Sequence, residues 1–399
     1  MADVRAFRAL RPRNDLAERV IAPPYDVLSD RQCRALAEDR SCFVRVTRSE
    51  VDLPFGADAH GEAAYAMART NLDALFAEGV LVRDSEPTYY LYGQLMGDHE
   101  QVGVIAAASV DEYDRGEIAK HEFTRPDKED DRTHHMEVID AQVGLVFLTY
   151  EPTARLTVLM SELTRAEPAW RVTTEDGVVH TLWVVPQSRC DEMHLAFQEV
   201  PKLYIADGHH RSAAASRVHA RRQTERSAYF LAGLYPADRL QVLAYNRVLK
   251  DLNGLSAEAF MSAVETRWEV SQGTSEPAER GEISMYFGGA WFTLRLREAL
   301  ISEDPVARLD AAALQTHLLE PVLGIEDPRR SKRISFVGGI HGSAALEAAV
   351  DSGAAVAFHL FPTGLDQLFV VADAGKVMPP KSTWFEPKLR EGVAVRMLR

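Results

Sequence analysis

A chain of 399 residues is longer than one average domain, and 46% hydrophobic with 26% charged residues is the composition of a globular protein that buries its own core. The formal net charge of −14 argues against broad binding of nucleic acid or anionic membranes, although it leaves room for a local basic pocket. Three cysteines, Cys33, Cys42 and Cys190, form an odd set without metal-type spacing. With no secretory leader and no apolar run of membrane-spanning length, the expected setting is the cytoplasm.

In chain order, Gly61–Glu78 places Ala64, Ala68, Leu72, Leu75 and Phe76 on one helical face, with Gly79 as the stop. Two strands follow, Thr88–Leu95 and Gln101–Val110, turning at Gly97-Asp98. Gly144–Tyr150 reads as a buried strand, Arg155–Arg165 as a helix, and Trp170–Val185 as a hairpin around Asp176-Gly177. The short apolar strand Leu203–Ala206 runs through Asp207-Gly208 into an alanine-rich helix, Ser212–Arg222. Strands at Ala228–Leu234 and Gln241–Leu249 come next, and a second hairpin, Ile283–Leu296, turns at Gly288-Gly289. The helix Asp310–Leu319 and strands near Arg333–Val337, Ala355–Phe361 and Leu368–Val371 complete the chain. Hairpins mixed with crossovers predict α+β, with mixed sheets and packed helices. The expected division is a core of residues 1–252 and a C-terminal α+β region of 253–399, parted at Asn253-Gly254.

Four segments carry chemistry. In Asp207-Gly208-His209-His210-Arg211-Ser212 a strand stops at a glycine and a helix of small residues begins. The first turn of such a helix has unpaired amides and partial positive charge, so it suits phosphate, with Arg211 as a bidentate clamp. Asp207 is the candidate magnesium ligand. The plainer account is an Asp-Gly turn with solvated histidines. In the second segment, Lys120-His121-Glu122 through Arg132 packs cations and carboxylates densely, with Pro126 expected to block a simple helix. The plainer account there is a solvated charged face, and His134-His135 beyond it reads as surface. The third, Ala22-Pro23-Pro24-Tyr25-Asp26, holds Asp26 on a rigid backbone, as a general base or merely a cap. The fourth, Met378-Pro379-Pro380-Lys381 through Lys388, either seals a core with Trp384 and Phe385 or lays Lys381 along a pocket rim.

Together with Leu318-Leu319-Glu320-Pro321, these segments resemble a family catalogued as domain of unknown function 1015, over nearly the whole chain. At the level of one motif, the Gly208-x-His210-Arg211 step resembles the phosphate step of the ParB and sulfiredoxin superfamily, which includes nucleotide-dependent kinases of free serine. The resemblance implies a nucleotide-binding core in which Gly208, His210 and Arg211 serve phosphate and Asp207 a metal. Asp26 matches the hydroxyl-activating acid by position only. His209 stands where sulfiredoxins carry cysteine, which argues against sulfinic-acid repair.

Three functions are compatible with these segments. The first is a phosphotransferase using ATP or ADP with Mg2+ on a small hydroxyl acceptor, L-serine foremost. In it Asp26, Glu122 and His209 are candidate catalytic groups, and Gly208, His210, Arg211, Ser212, Lys120, His121, Arg132 and Lys381 candidate phosphate or nucleotide ligands. No Walker-type loop or protein-kinase motif is present. The second is a metal-dependent phosphoesterase using His121, Glu122, Asp207, His209 and His210, and the third a ParB-type nucleotide-binding module. A small substrate and a nucleotide are the expected partners, without nucleic acid or membrane.

Overall fold

The computed structural model describes residues 2–399, which form an α+β protein of two compact units. The first comprises residues up to Leu240 together with Pro387–Arg399, and the second comprises Gln241–Glu386. The chain thus leaves the first unit at Leu240 and re-enters it at Pro387, whereas the sequence reading divided it once, at Asn253-Gly254. No local composition marks the return. Its cause is a long-range pairing of Val395–Met397 with Ala9–Pro12 and Ala141–Gln142.

The first unit is built on a nine-stranded sheet. Its path runs from Ile118–Ala119 through Leu203–Asp207, Val146–Tyr150, Tyr229–Pro236, His99–Ser109, Tyr90–Met96 and Val179–Val184 to Trp170–Thr173, with Val4–Arg5 added on His99–Ser109. Leu203–Asp207 is parallel to Ile118–Ala119 and antiparallel to Val146–Tyr150, and the latter is parallel to Tyr229–Pro236. These strands are near-continuous apolar runs because both faces are covered. Leu148, Ile205 and Phe230 join Ala213, Ala214 and Val218 of the helix His209–Arg222 in one buried cluster. Alanines on that helix let its backbone lie close to the sheet.

Beside it lies the helix Pro126–Ile139, where the sequence reading expected Pro126 to block one. Proline sits at the first helical turn, where its missing N–H has no acceptor to lose. The charge run is not merely solvated. Asp130 pairs with Arg217 at 2.5 Å, Glu137 with Arg221 at 2.7 Å, and Asp140 with Arg222, so the two helices are laced along one side. His135 is likewise interior, its Nε2 3.0 Å from the Val46 carbonyl.

The second unit carries a six-stranded antiparallel sheet in the order Trp268–Gln272, Ala290–Leu296, Glu282–Phe287, Val356–Leu360, Tyr245–Leu249, Ile334–Gly338. Residues 368–371, expected as a strand, belong to the helix Leu365–Asp373, with Leu368, Phe369, Val371 and Ala372 buried. An apolar run that short does not distinguish a strand from one buried helix face. The expected helix Asp310–Leu319 is α-helical to Leu314 and then opens into a π-turn, Gln315–Leu319. No helix among the described residues is long and apolar enough to cross a membrane.

Packing in the first unit is close where two strands meet the tyrosines. A Cβ on Gly103 would lie 2.6 Å from the ring of Tyr235, which is fully buried. Gly103→Ala should therefore cost about 1–3 kcal/mol of stability through overpacking. A urea titration reads this, and an unchanged midpoint would contradict the packing described.

Candidate functional site

The site grows from the end of the strand Leu203–Asp207. A register shift between Ile205 and Asp207 marks a bulge, which breaks the alternation that would otherwise put both side chains on one face. The Asp207 side chain keeps 43% of its surface exposed. Gly208 then turns the chain at φ 96°, a left-handed conformation that favours glycine, and the helix His209–Arg222 starts at once. It begins three residues earlier than Ser212, so His209 and His210 are its first turn. The amide of Gly208 donates to Asp207 Oδ1 at 2.8 Å, whereas those of His209 and His210 have no intrahelical acceptor.

Arg211 reaches back across the glycine. Its Nη1 donates to the Leu145 carbonyl, and its Nη2 lies 3.9 Å from Asp207 Oδ2, a loose pairing. The aliphatic stem passes over Gly144, where a Cβ would meet Arg211 Cδ at 3.0 Å. Burial disfavours the Arg211 charge, but Asp207, Asp26, Tyr25 and Glu391 restore it and leave its pKa raised. Burial likewise opposes ionisation of Asp207, yet the Lys388 and Arg211 cations outweigh it and hold the carboxyl below the usual carboxylate range. At neutral pH the strand-to-helix step carries a carboxylate and a guanidinium side by side.

The two histidines do something the sequence does not show. His209 Nε2 accepts the His121 amide at 3.4 Å, and His210 Nε2 accepts the Arg125 amide at 3.1 Å. Each therefore pins the segment 121–125 to the helix start, and each must be neutral at Nε2 to do so. Burial lowers both pKa values, that of His209 well below the usual imidazole range. His209 is buried, with its Nδ1 3.7 Å from Glu122 Oε2 and its ring edge-on to His121. The expected catalytic His209 is thus placed as a buried clasp on the His121 amide. Ser212, expected on phosphate, is fully buried, and its Oγ donates to the His209 carbonyl at 3.0 Å. His121 is also interior.

The other candidates divide. Lys120 acts electrostatically on His209, and its Nζ lies 3.5 Å from the centre of the Tyr113 ring. The half-exposed Glu122 stands near His209. Arg132 is 2.6 Å from Asp131 and stacks over Tyr25 at 4.3 Å. It anchors the loop that carries Asp26, which Arg48 holds from below through the carbonyls of Tyr25 and Leu28 at 3.2 and 3.3 Å. Asp26 is exposed at the tip of that loop, and its charge acts on Arg211. Lys381 belongs to the second unit, where its ammonium lies 5.3 Å from the Tyr245 ring.

One group escaped the sequence reading. Glu391 is buried, with Oε2 lacking any hydrogen-bond partner, and it lines a small cavity of about 30 Å³ with Tyr25, Thr47, Arg132 and Arg211. Burial pushes its carboxyl up to about 7. Its backbone bridges Ala22 in both directions, at 3.1 and 2.9 Å, immediately before Pro23-Pro24. A lone glutamate near the end of the chain has no periodic or motif signal, and only this bridge brings it to the site. The donor types for a metal-dependent hydrolase do come together here. Among the described residues, however, no group of three or more His, Cys, Asp or Glu side chains is placed to hold a metal.

A model of the family described as "Protein of unknown function (DUF1015)" matches residues 4–312. No curated protein matches the chain. Among solved structures, a conserved hypothetical protein from Pyrococcus furiosus is similar at 12% identity and a TM-score of 0.37, over 74% of this chain and 95% of that one. The protein SbnI with C-terminal truncation from Staphylococcus aureus gives 12% and 0.41, over 73% and 87%. A free serine kinase in complex with AMP gives 13% and 0.36, over 71% and 86%.

Buried imidazoles make stability depend on pH. Burial pushes His121 and His135 down to about 4 and His180 to about 3, so the unfolded chain takes up protons first as the pH falls. Their stabilisation is complete above the unfolded value near 6.5 and is lost as the pH falls towards 4, by on the order of 2 kcal/mol for each of His121 and His135 at pH 5. Glu391, raised to about 7, acts in the opposite sense and offsets about one histidine. Urea unfolding should show a clearly lower midpoint at pH 5 than at pH 7. Equal midpoints would mean that these imidazoles are not held neutral.

Proposed function

The chain belongs to the DUF1015 family, and from the strand-to-helix step we propose that it is a nucleotide-dependent phosphotransferase acting on a small hydroxyl acceptor, free L-serine foremost. One observation carries this reading: the exposed Asp207 carboxylate and the charged Arg211 flank a helix start whose first two amides lack intrahelical acceptors. The choice of serine rests on the motif-level resemblance of Gly208-x-His210-Arg211 to free serine kinases.

The small cavity beside Glu391, at about 30 Å³, takes a water or two but no base. The nucleotide therefore lies on the open side of the step, where Asp207 is exposed. The amides of His209 and His210 and the Arg211 guanidinium hold the phosphate being transferred, with Lys120 adding positive potential nearby. A single accessible carboxylate fits magnesium, which commonly takes one or two protein carboxylates and completes its shell with phosphate oxygens and water. Bound there, it would neutralise phosphate charge. The acceptor oxygen forms its bond to the terminal phosphorus as the bond to the departing nucleotide oxygen breaks, and Asp26 takes the hydroxyl proton. Glu391 sets the charge behind Arg211. His209 and His210 keep the amides in place.

Purified protein with Mg2+ and either ATP or ADP should convert L-serine, in a panel of free hydroxy amino acids, to a phosphomonoester detectable by phosphorus NMR. Arg211→Met and Asp207→Asn should each lower kcat by about 10²–10³-fold with the fold retained, and Asp26→Asn by about 10²–10⁴-fold. Full turnover in Arg211→Met would overturn the assignment. A separate expectation concerns pH. Glu391 ionises as the pH rises through about 7 and places a negative charge behind Arg211, so nucleotide affinity should decline across that range. Glu391→Gln should flatten the decline, and an unchanged profile would remove Glu391 from the site.

A further inference from the structure

The second unit holds a buried cation without a counterion. Arg247 lies in the strand Tyr245–Leu249, between Phe336 and Phe358 of the flanking strands, and only 3% of its surface is exposed. Its Nη1 donates to the Tyr245 carbonyl and its Nη2 to the Lys381 carbonyl at 3.1 Å, while Phe336 lies 5.5 Å below the guanidinium. Both hydrogen-bond partners are neutral, and no carboxylate acts on the charge. Burial lowers its pKa only to about 10, so it stays charged at neutral pH. An uncompensated buried charge is costly, and buried charges in proteins are ordinarily paired.

Arg247 lines a cavity of about 340 Å³, a volume that suits a small ligand. Leu319, Ile334, Phe336, Pro379 and Pro380 give it an apolar wall. Two sequence segments that the phosphate site leaves unused meet here: Leu318-Leu319-Glu320-Pro321 begins within the π-turn and contributes Leu319, and Met378-Pro379-Pro380-Lys381 contributes Pro379 and Pro380. The π-turn Gln315–Leu319 is itself the kind of helix irregularity that recurs at functional sites. Gln315 fastens it by donating to the Ile325 carbonyl at 2.6 Å. At the rim, Asp327 is occupied by Arg329 at 3.0 Å, and Glu326 is exposed.

We propose that this cavity binds a small organic monocarboxylate, its carboxylate on Arg247 and its hydrocarbon body against the Leu319, Phe336 and Pro380 wall. Arg329 is matched by Asp327, whereas no carboxylate acts on Arg247, so the lining calls for one negative charge, and the exposed Glu326 disfavours a dianion such as phosphate. The apolar wall calls for carbon behind the charge. The inference does not depend on the phosphotransferase reading.

Isobutyrate is the probe, titrated calorimetrically into the full chain, with isobutyramide and inorganic phosphate as controls. Saturable binding of isobutyrate is expected, with isobutyramide and phosphate weaker by about tenfold or more, and Arg247→Met should remove binding by a similar factor. Methionine replaces a buried charge with an apolar chain of similar length, so the variant should fold at least as well. Should it fail to fold, crystals of the unaltered protein soaked in 3-bromopropionate decide the matter, because the bromine must appear in this cavity by anomalous scattering. Absence of saturable binding, equal binding of the amide, preference for phosphate, undiminished affinity in Arg247→Met, or bromine only elsewhere would each overturn the proposal.

Discussion

A left-handed glycine between a buried strand and a buried helix decides where charge gathers in the first unit. At Gly208 a Cβ would stand 3.3 Å from Val146 Cα and 3.4 Å from Arg211 Nε, besides forcing a side chain into a φ of 96°. With glycine there, the chain turns within one residue, and the next two amides have no intrahelical acceptor. Asp207 before the turn and Arg211 after it then lie on the same step. The loose 3.9 Å spacing between them matters. A tight bidentate pair would satisfy both groups internally, whereas this one leaves each with capacity for a ligand.

What keeps the turn in place is a set of neutral imidazoles. His209 and His210 spend their Nε2 atoms on backbone amides of the segment 121–125, and so tie a loop with few apolar side chains to the helix start. The ion pairs of Arg217, Arg221 and Arg222 then fix that helix to Pro126–Ile139. A second fastening comes from the chain's return. Arg390 pairs with Asp176 and donates to His180 Nε2 at 3.2 Å, while His180 Nδ1 meets Tyr92 OH at 2.8 Å. This buried polar chain seats Glu391 against Ala22 and thereby sets the loop carrying Tyr25 and Asp26. Loop position, buried glutamate and guanidinium are thus coupled through one small cavity.

Much of this was legible in the sequence where a local rule sufficed. Glycine stops, Asp-Gly and Gly-Gly turns and alanine-rich periodicity located the helix at 62–77, both hairpins and the strand before Asp207 to within a few residues. The strand-to-helix step was readable because its signals are adjacent. What was not legible depends on contacts between distant residues. A histidine pair has the same letters whether it faces solvent or accepts two amides, so the clasp could not be separated from a surface pair. Pro126 is a breaker inside a helix and a favoured starter in its first turn, and only the position of the start decides. Ser212 looked like a phosphate ligand by proximity, but 100° of helical turn per residue carries it to the buried face. Glu391 and the second unit's Arg247 lie beyond any local rule, since each matters for the partners it lacks.

The central claim is that the first turn after Gly208 receives a phosphate. Amide nitrogen shifts of the labelled protein, followed while Mg-ADP is added, test it most directly. The account predicts that the largest saturable changes fall on Gly208, His209, His210 and Arg211. Saturation by the nucleotide with those four amides unmoved, and the changes clustered elsewhere, would contradict it.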